Sequence, residues 1–391
     1  MKNQFEFPSS LYGSNDFKTV MRGILRGVLY CSLCYGSIAA GFLFIACPLL
    51  PLLLFSPPRF RKCAELLFSC WEFYPTALMN VLGVKIFVSG DHISPDESAV
   101  LVMNHRTRVD WNFLWAAMYQ ACMPNVACHK LKFILKDPLR HIPGPGWMMQ
   151  INGFLYITRR WKEDQGRLSR TLDYLIALDN HSQLLIFPEG TDLTKNNKEK
   201  SDKYAVQRHL PQYIYTLHPK TTGFTYLVQH LQRANYLDAV YDLTIAYPDR
   251  IPQSEIDLIR GKFPDEIYFH IRRISSADIP IHDMTLRKWL EDRWSVKERI
   301  LKQFYEQKAF PFEIWPITVM KTLPLQAALG FWSILTGMAI LLLIISPIFQ
   351  LWALIHTIFF IGLSILNIGF NQIEIGWYWR WKRYTFQTKY S

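Results

Sequence analysis

The chain has 391 residues, half of them hydrophobic and 15% aromatic, and carries a net charge of +11. That length gives one sizeable domain plus extra segments, and the apolar share is high for a soluble protein. The basic balance fits anionic lipid head groups or a polyanionic substrate. It does not point to nucleic acid, because no binding motif accompanies it and long apolar runs oppose that reading.

Residues 1–23 form a polar N-terminal segment. From Gly27 to Pro58 no side chain is charged, which predicts a transmembrane element over 24–57. It is long enough for one span, or for a bent hairpin broken near Pro48 and Pro51. The polar lead and the length of the run favour a retained anchor over a cleaved signal peptide. All seven cysteines lie in the first third. Cys31 and Cys34 have C-x-x-C spacing but sit in the apolar run without further ligands. They read as small apolar residues, and no metal site is expected.

Residues 63–84 predict a helix kinked at Pro75, lying in the membrane interface or buried in the domain. Val84–Gly90 and Ala99–Met103 read as strands and 111–122 as a helix. Between the second strand and that helix stands Asn104-His105-Arg106-Thr107-Arg108-Val109-Asp110. Residues five apart on a helix differ by about 140° and share no face. For His105 and Asp110 to touch, His105 must lie in the turn and Asp110 in the first helical turn, where the helix dipole favours a carboxylate. Asp110 would then hold one imidazole nitrogen and leave the other as a general base.

Lys130, Lys132, Lys136, Arg140 and His141 interleave with apolar residues. They form a solvated amphipathic helix or a contact for lipid phosphate or an anionic cosubstrate. Gly153–Arg160 reads as a strand ending in Arg159 and Arg160, and Lys162–Asp179 as an amphipathic helix. Gln183–Phe187 reads as a buried strand ending in Pro188-Glu189-Gly190-Thr191. Lys195–Lys203 is charged and reads as a loop. Asp242–Pro248 and Ile267–Arg273 are further strands, and Thr285–Gln307 a charged helix. Thr322–Ile373 again lacks any charge, which predicts two membrane helices over 323–370 broken at Ser346-Pro347. The tail 371–391 mixes basic and aromatic residues, an interfacial signature. Two C-terminal spans return this tail to the side of the catalytic domain.

Strands alternating with helices over 85–310 predict an α/β catalytic domain with a largely parallel sheet flanked by helices, plus N-terminal and C-terminal transmembrane helices. His105, Arg159, Glu189 and Pro248 all fall at or just past the end of a predicted strand, where such sheets gather their chemistry. Gly190 lets backbone N–H groups approach an anion, Thr191 adds a hydroxyl, and Arg159 can grip a phosphate with a fork. No motif supplies a covalent nucleophile, a nucleotide cradle or a metal. A base without a nucleophile implies that the substrate's own hydroxyl is deprotonated and attacks an activated carbonyl. Together with the membrane anchors this predicts acyl transfer to a phospholipid hydroxyl. A non-catalytic lipid-binding scaffold and a lipid hydrolase are the weaker readings.

Asn104-His105-(four residues)-Asp110 resembles the first block of the glycerolipid acyltransferase family, the lysophosphatidic acid acyltransferase group. Gly153–Arg159, Phe187–Thr191 and Leu243–Pro248 are similar to its second, third and fourth blocks, in the right order. The likeness extends to His218–Thr225 and to Ile251–Glu255. The resemblance implies an acyl-CoA-dependent enzyme of the endoplasmic reticulum membrane, multi-pass, its catalytic domain cytosolic, with acyl-CoA as cosubstrate and no further cofactor. Its acceptors would be lysophospholipids such as lysophosphatidylinositol and lysocardiolipin, or lysophosphatidic acid on the alternative, phosphatidate-forming branch. His105 would be the base and Asp110 its orienter. Arg159, Glu189, Gly190 and Thr191 would bind the acceptor's glycerol phosphate, and Pro248 would shape the site.

Overall fold

The computed structural model describes residues 17–122, 130–313 and 322–390. The chain enters as α1 (Phe17–Gly41), which runs through a π-helical turn at Phe42–Ala46 into α2 (Cys47–Phe55). The path stays helical throughout, so the hairpin reading is corrected: the chain does not reverse at Pro48 or Pro51. The wide π turn precedes Pro48, whose ring would clash with the carbonyl four residues back in a regular helix. The helix also begins at Phe17, inside the segment expected to be polar and separate; residues 1–16 lie outside the described residues. Reversal comes at Ser56, and α3 (Pro57–Val81) follows, continuing helical through Pro75. Glu65, Trp71 and Glu72 on it are buried, so the buried alternative holds for this helix.

The remaining elements alternate. They are β1 (Lys85–Gly90), β2 (Ala99–Met103), α4 (Asp110–Ala121), β3 (Leu131–Lys136), α5 (Pro145–Ile151), β4 (Leu155–Ile157) and α6 (Trp161–Ala177). Then come β5 (Gln183–Ile186), α7 (Lys195–Gln207), α8 (Thr221–Arg233), β6 (Ala239–Ala246), α9 (Glu255–Ile259), β7 (Glu266–Ser275) and α10 (Asp283–Gln307). The chain closes with α11 (Thr322–Ile345), α12 (Pro347–Ile365) and α13 (Phe370–Tyr390).

Seven strands form one sheet in the order β1-β7-β6-β2-β5-β3-β4. From β6 to β4 every neighbour is parallel; β7 runs against β6, and β1 follows β7. Side chains of β2 alternate faces. Leu101 and Met103 join the core under α1, α3, α4 and α11, while Val100 and Val102 join the core under α6, α8 and α10. The largely parallel α/β domain expected from the sequence is therefore present, with membrane helices layered on one face.

Two sequence expectations are corrected. Residues 131–136 form a strand rather than a solvated helix. Lys132 is buried there, 2.5 Å from Glu65 Oε1 and bonded to the Asn152 carbonyl. Lys195–Gln207 is a helix rather than a loop, started by the Thr194 side chain accepting from the Asn197 N–H; with few apolar residues it carries almost no periodic signal.

Among the described residues three helices are long and apolar enough to cross a bilayer: Val20–Phe55, Leu323–Ile345 and Pro347–Ile365. The first is 36 residues, about 54 Å at 1.5 Å per residue, against a hydrocarbon thickness of about 30 Å. The Ser346 side chain caps α12, which explains the break expected there.

Candidate active site

The five parallel strands end on one edge of the sheet, and each delivers a residue to it. Met103 of β2 leads into His105, Lys136 closes β3, Ile157 of β4 precedes Arg159, Ile186 of β5 precedes Glu189, and Ala246 of β6 precedes Tyr247. Asn104 fastens the departure of the chain from β2. Its amide donates to the Ile245 carbonyl and accepts from the Ile245 N–H at 3.1 and 2.9 Å.

His105 and Asp110 meet as the offset predicted. Nδ1 of His105 lies 3.0 Å from Oδ2 of Asp110, with Asp110 at the first position of α4. Asp110 is fully buried, and its oxygens also accept from the Thr107 N–H, the Thr107 hydroxyl and the Tyr247 hydroxyl. The imidazole is 19% exposed and stacks on Phe187, with ring centroids 4.3 Å apart. Among the described residues nothing hydrogen-bonds its Nε2. A buried carboxylate on Nδ1 fixes the tautomer that leaves Nε2 as the acceptor.

Glu189, which the resemblance gives as an acceptor-binding residue, lies in the interior with its oxygens on protein donors. It is 2% exposed. Oε1 accepts from the His105 N–H at 3.2 Å and from Trp294 Nε1 at 3.4 Å, and Oε2 accepts from the Leu217 N–H at 3.1 Å. With both oxygens closed in by protein donors, this side chain links the His105 turn to Leu217 and Trp294. Burial pushes its carboxyl up to about 8, opposed by those N–H groups and by the charge of Lys297. Thr191 is likewise engaged: its hydroxyl donates to Asp192 and accepts from Asn197.

Gly190 takes φ 73°, a conformation that favours glycine. A Cβ there would lie 3.3 Å from Lys220 Nζ. Arg159, itself at φ 65°, donates through Nη2 to the Gly190 carbonyl. Lys136, Arg159 and Lys220 thus converge beside this turn. Burial and the neighbouring Arg159 depress both lysines below their usual range, with Asp192 opposing at Lys136. Pro248 is buried at the end of β6 and makes no hydrogen bond to His105; its neighbour Tyr247 reaches the pair instead. Sequence reasoning missed Tyr247, Thr107, Trp294 and Lys220 as contributors. It had Lys136 only as one basic residue in a stretch of mixed reading.

The sequence matches the Acyltransferase family over residues 85–248 and its Acyltransferase C-terminus over residues 257–332. Lysocardiolipin acyltransferase 1 of Danio rerio is 37% identical over 381 residues, 92% of this chain and 97% of that protein. The chain belongs to the acyltransferase family. Lysophosphatidylinositol acyltransferase 10 of Caenorhabditis elegans is 38% identical over 262 residues, 65% of this chain and 66% of that protein. A probable 1-acyl-sn-glycerol-3-phosphate acyltransferase 5 of Arabidopsis thaliana is 34% identical over 262 residues, 66% of this chain and 68% of that protein. The resemblance seen in the four blocks therefore runs through most of the chain. The first matched segment spans every strand of the sheet except β7, and the second contains α10.

Proposed function

We propose that this acyltransferase moves a fatty acyl group from acyl-CoA to the free hydroxyl of a lysophospholipid, with His105 as general base. The observation that carries this reading is the buried Asp110 on Nδ1 of His105, which leaves the other nitrogen free for a substrate proton. In this reading the acceptor hydroxyl loses its proton to Nε2 as its oxygen forms the bond to the thioester carbonyl. The CoA thiolate leaves and recovers that proton. Arg159, Lys136 and Lys220 hold the acceptor's phosphate.

The relatives named for lysocardiolipin and lysophosphatidylinositol favour acceptors of that kind. A second reading has its own support. Three converging cations suit a phosphomonoester dianion, as in lysophosphatidic acid, which would make the product phosphatidate. Residence in the endoplasmic reticulum membrane with the catalytic domain cytosolic belongs to the same proposal, as does the division of the chain at 85–310.

The test is transfer of labelled oleoyl-CoA in membranes carrying wild type or His105→Ala. The acceptors are lysophosphatidylinositol, lysocardiolipin and lysophosphatidic acid. General-base catalysis contributes roughly 10²–10⁴-fold, so His105→Ala should lose activity by at least two orders of magnitude at normal expression. Product from the first two acceptors supports remodelling, and product from lysophosphatidic acid alone moves the enzyme to the second reading. Wild-type rates in His105→Ala would sink the base assignment.

A further inference from the structure

One turn of α10 lies directly behind the catalytic edge. Trp294 is fully buried and aims its indole N–H at the same Glu189 oxygen that receives the His105 N–H. Lys297 sits 5.2 Å from the Trp294 ring centroid, 1% exposed. Its Nζ reaches Asp242 Oδ1 at 2.5 Å, the Leu243 carbonyl at 2.6 Å and the Thr244 hydroxyl at 3.0 Å. Arg293 closes the set with two bonds to Asp242 Oδ2. Asp242 therefore meets two cations, Lys297 and Arg293, behind the Trp294 that bonds Glu189.

Burying these three charged side chains is costly and stabilises a fold no better than apolar packing would, so stability alone does not explain the arrangement. What it does locally is specific. Glu189 is the only side chain that grips the main chain of His105 among the described bonds, and the fixed geometry of a base is worth orders of magnitude in rate. Both oxygens of Glu189 are engaged, one by the His105 N–H and Trp294 Nε1 and the other by the Leu217 N–H, so this side chain ties α10 to the His105 turn. The donor from α10 is Trp294, and Lys297 packs on its ring as a cation on an aromatic face.

We infer that Trp294 and Lys297 are positioning residues for acyl transfer: Lys297 seats the Trp294 ring, and Trp294 holds Glu189 and through it the backbone of His105 in working geometry. The inference rests on His105 acting as base. It assigns the C-terminal segment, through α10, a part in the reaction beyond closing the sheet. Neither side chain touches substrate.

The experiment measures kcat and KM for both substrates in membranes carrying Trp294→Phe, Lys297→Met, Lys297→Arg and Glu189→Gln, with His105→Ala beside them. Trp294→Phe keeps the ring and removes one donor. It should lower kcat about three- to tenfold with both KM values unchanged and expression near wild type. Lys297→Met should lower kcat at least as much, and Lys297→Arg should restore part of it. In a Glu189→Gln background the Trp294→Phe change should cost nothing further, because coupled sites are not additive. Wild-type kcat in Trp294→Phe with His105→Ala inactive overturns the relay and leaves the base standing. A raised KM at unchanged kcat, or full additivity with Glu189→Gln, overturns it as well. An active His105→Ala overturns the base and the relay together.

Discussion

Asp110 accepts four hydrogen bonds, from the His105 imidazole, the amide and hydroxyl of Thr107, and the phenol of Tyr247. The Tyr247 bond is 2.7 Å long and wholly buried. Burial and the Asp110 charge hold this phenol well above its ordinary value, so it donates at every working pH. Tyr247→Phe removes one charge-assisted donor from Asp110 and leaves the ring in the core. Such bonds contribute about 1.5–3 kcal/mol, so kcat should fall by roughly tenfold or more while the KM for both substrates stays put. A changed KM with an intact kcat would mean that Tyr247 shapes the substrate pocket instead. The sequence made His105 and Asp110 legible because both lie in one turn and their offset restricts how they can meet. Tyr247 is 137 residues away along the chain, and no local spacing announces it. Glu189 carried a recognisable motif, but its burial depends on Leu217 and Trp294, which sequence reading could not bring near it.

Elements were legible where burial is periodic and obscure where it is not. β2, β5 and β6 are buried along their whole length; β2 is a continuous apolar run, while β5 and β6 are apolar apart from Gln183, Asp242 and Thr244. β3 misleads because Lys132 is inside, matched by Glu65 from α3. Burial pushes the Glu65 carboxyl up, but Lys132 and Arg61 outweigh it and hold it below its usual range. A more specific contact joins α1 to α9. A Cβ on Gly27 would fall on the carbonyl oxygens of Leu258 and Ile259, and a Cβ on Gly261 would fall on Gly23. The segment that carries α9 in turn meets the His105 turn, where the Arg108 N–H bonds the Gln253 carbonyl at 3.4 Å. The membrane helix is therefore seated against the chain that flanks the His105 turn. Gly27→Val should force the two apart. Overpacking of this kind costs about 1–3 kcal/mol, seen as a lower melting temperature in detergent together with reduced activity. Gly330→Ala, where nothing lies within 4 Å, should change neither. A Gly27→Val protein as stable and active as wild type would show that α9 can yield without consequence.

Across the whole molecule, the last helix returns to the first soluble layer. Arg61 of α3 and Glu374 of α13 form a buried ion pair, 2% and 1% exposed, and Tyr174 of α6 donates to Glu374 Oε1 at 2.6 Å. Arg61 also donates to the Ile151 carbonyl, and Tyr378 of α13 donates to the Ala177 carbonyl at 2.9 Å. The tail expected from the sequence to be basic, aromatic and interfacial is thus a helix docked on the catalytic domain through α3, α5 and α6. This docking ties α13 to α3 and α6, which a tail anchored by lipid alone would not do. Removing one partner of a buried pair leaves the other charge uncompensated, a loss of about 3–5 kcal/mol. Glu374→Gln keeps the shape and removes that charge, so it should lower the melting temperature and open α13 to trypsin at Lys382 and Arg383. Acyl transfer per folded molecule should survive at low temperature, because the His105 turn touches none of these groups. Unchanged melting and protease resistance in Glu374→Gln would mean that apolar contacts such as Phe60–Phe370 hold the tail, and that the ion pair only follows them.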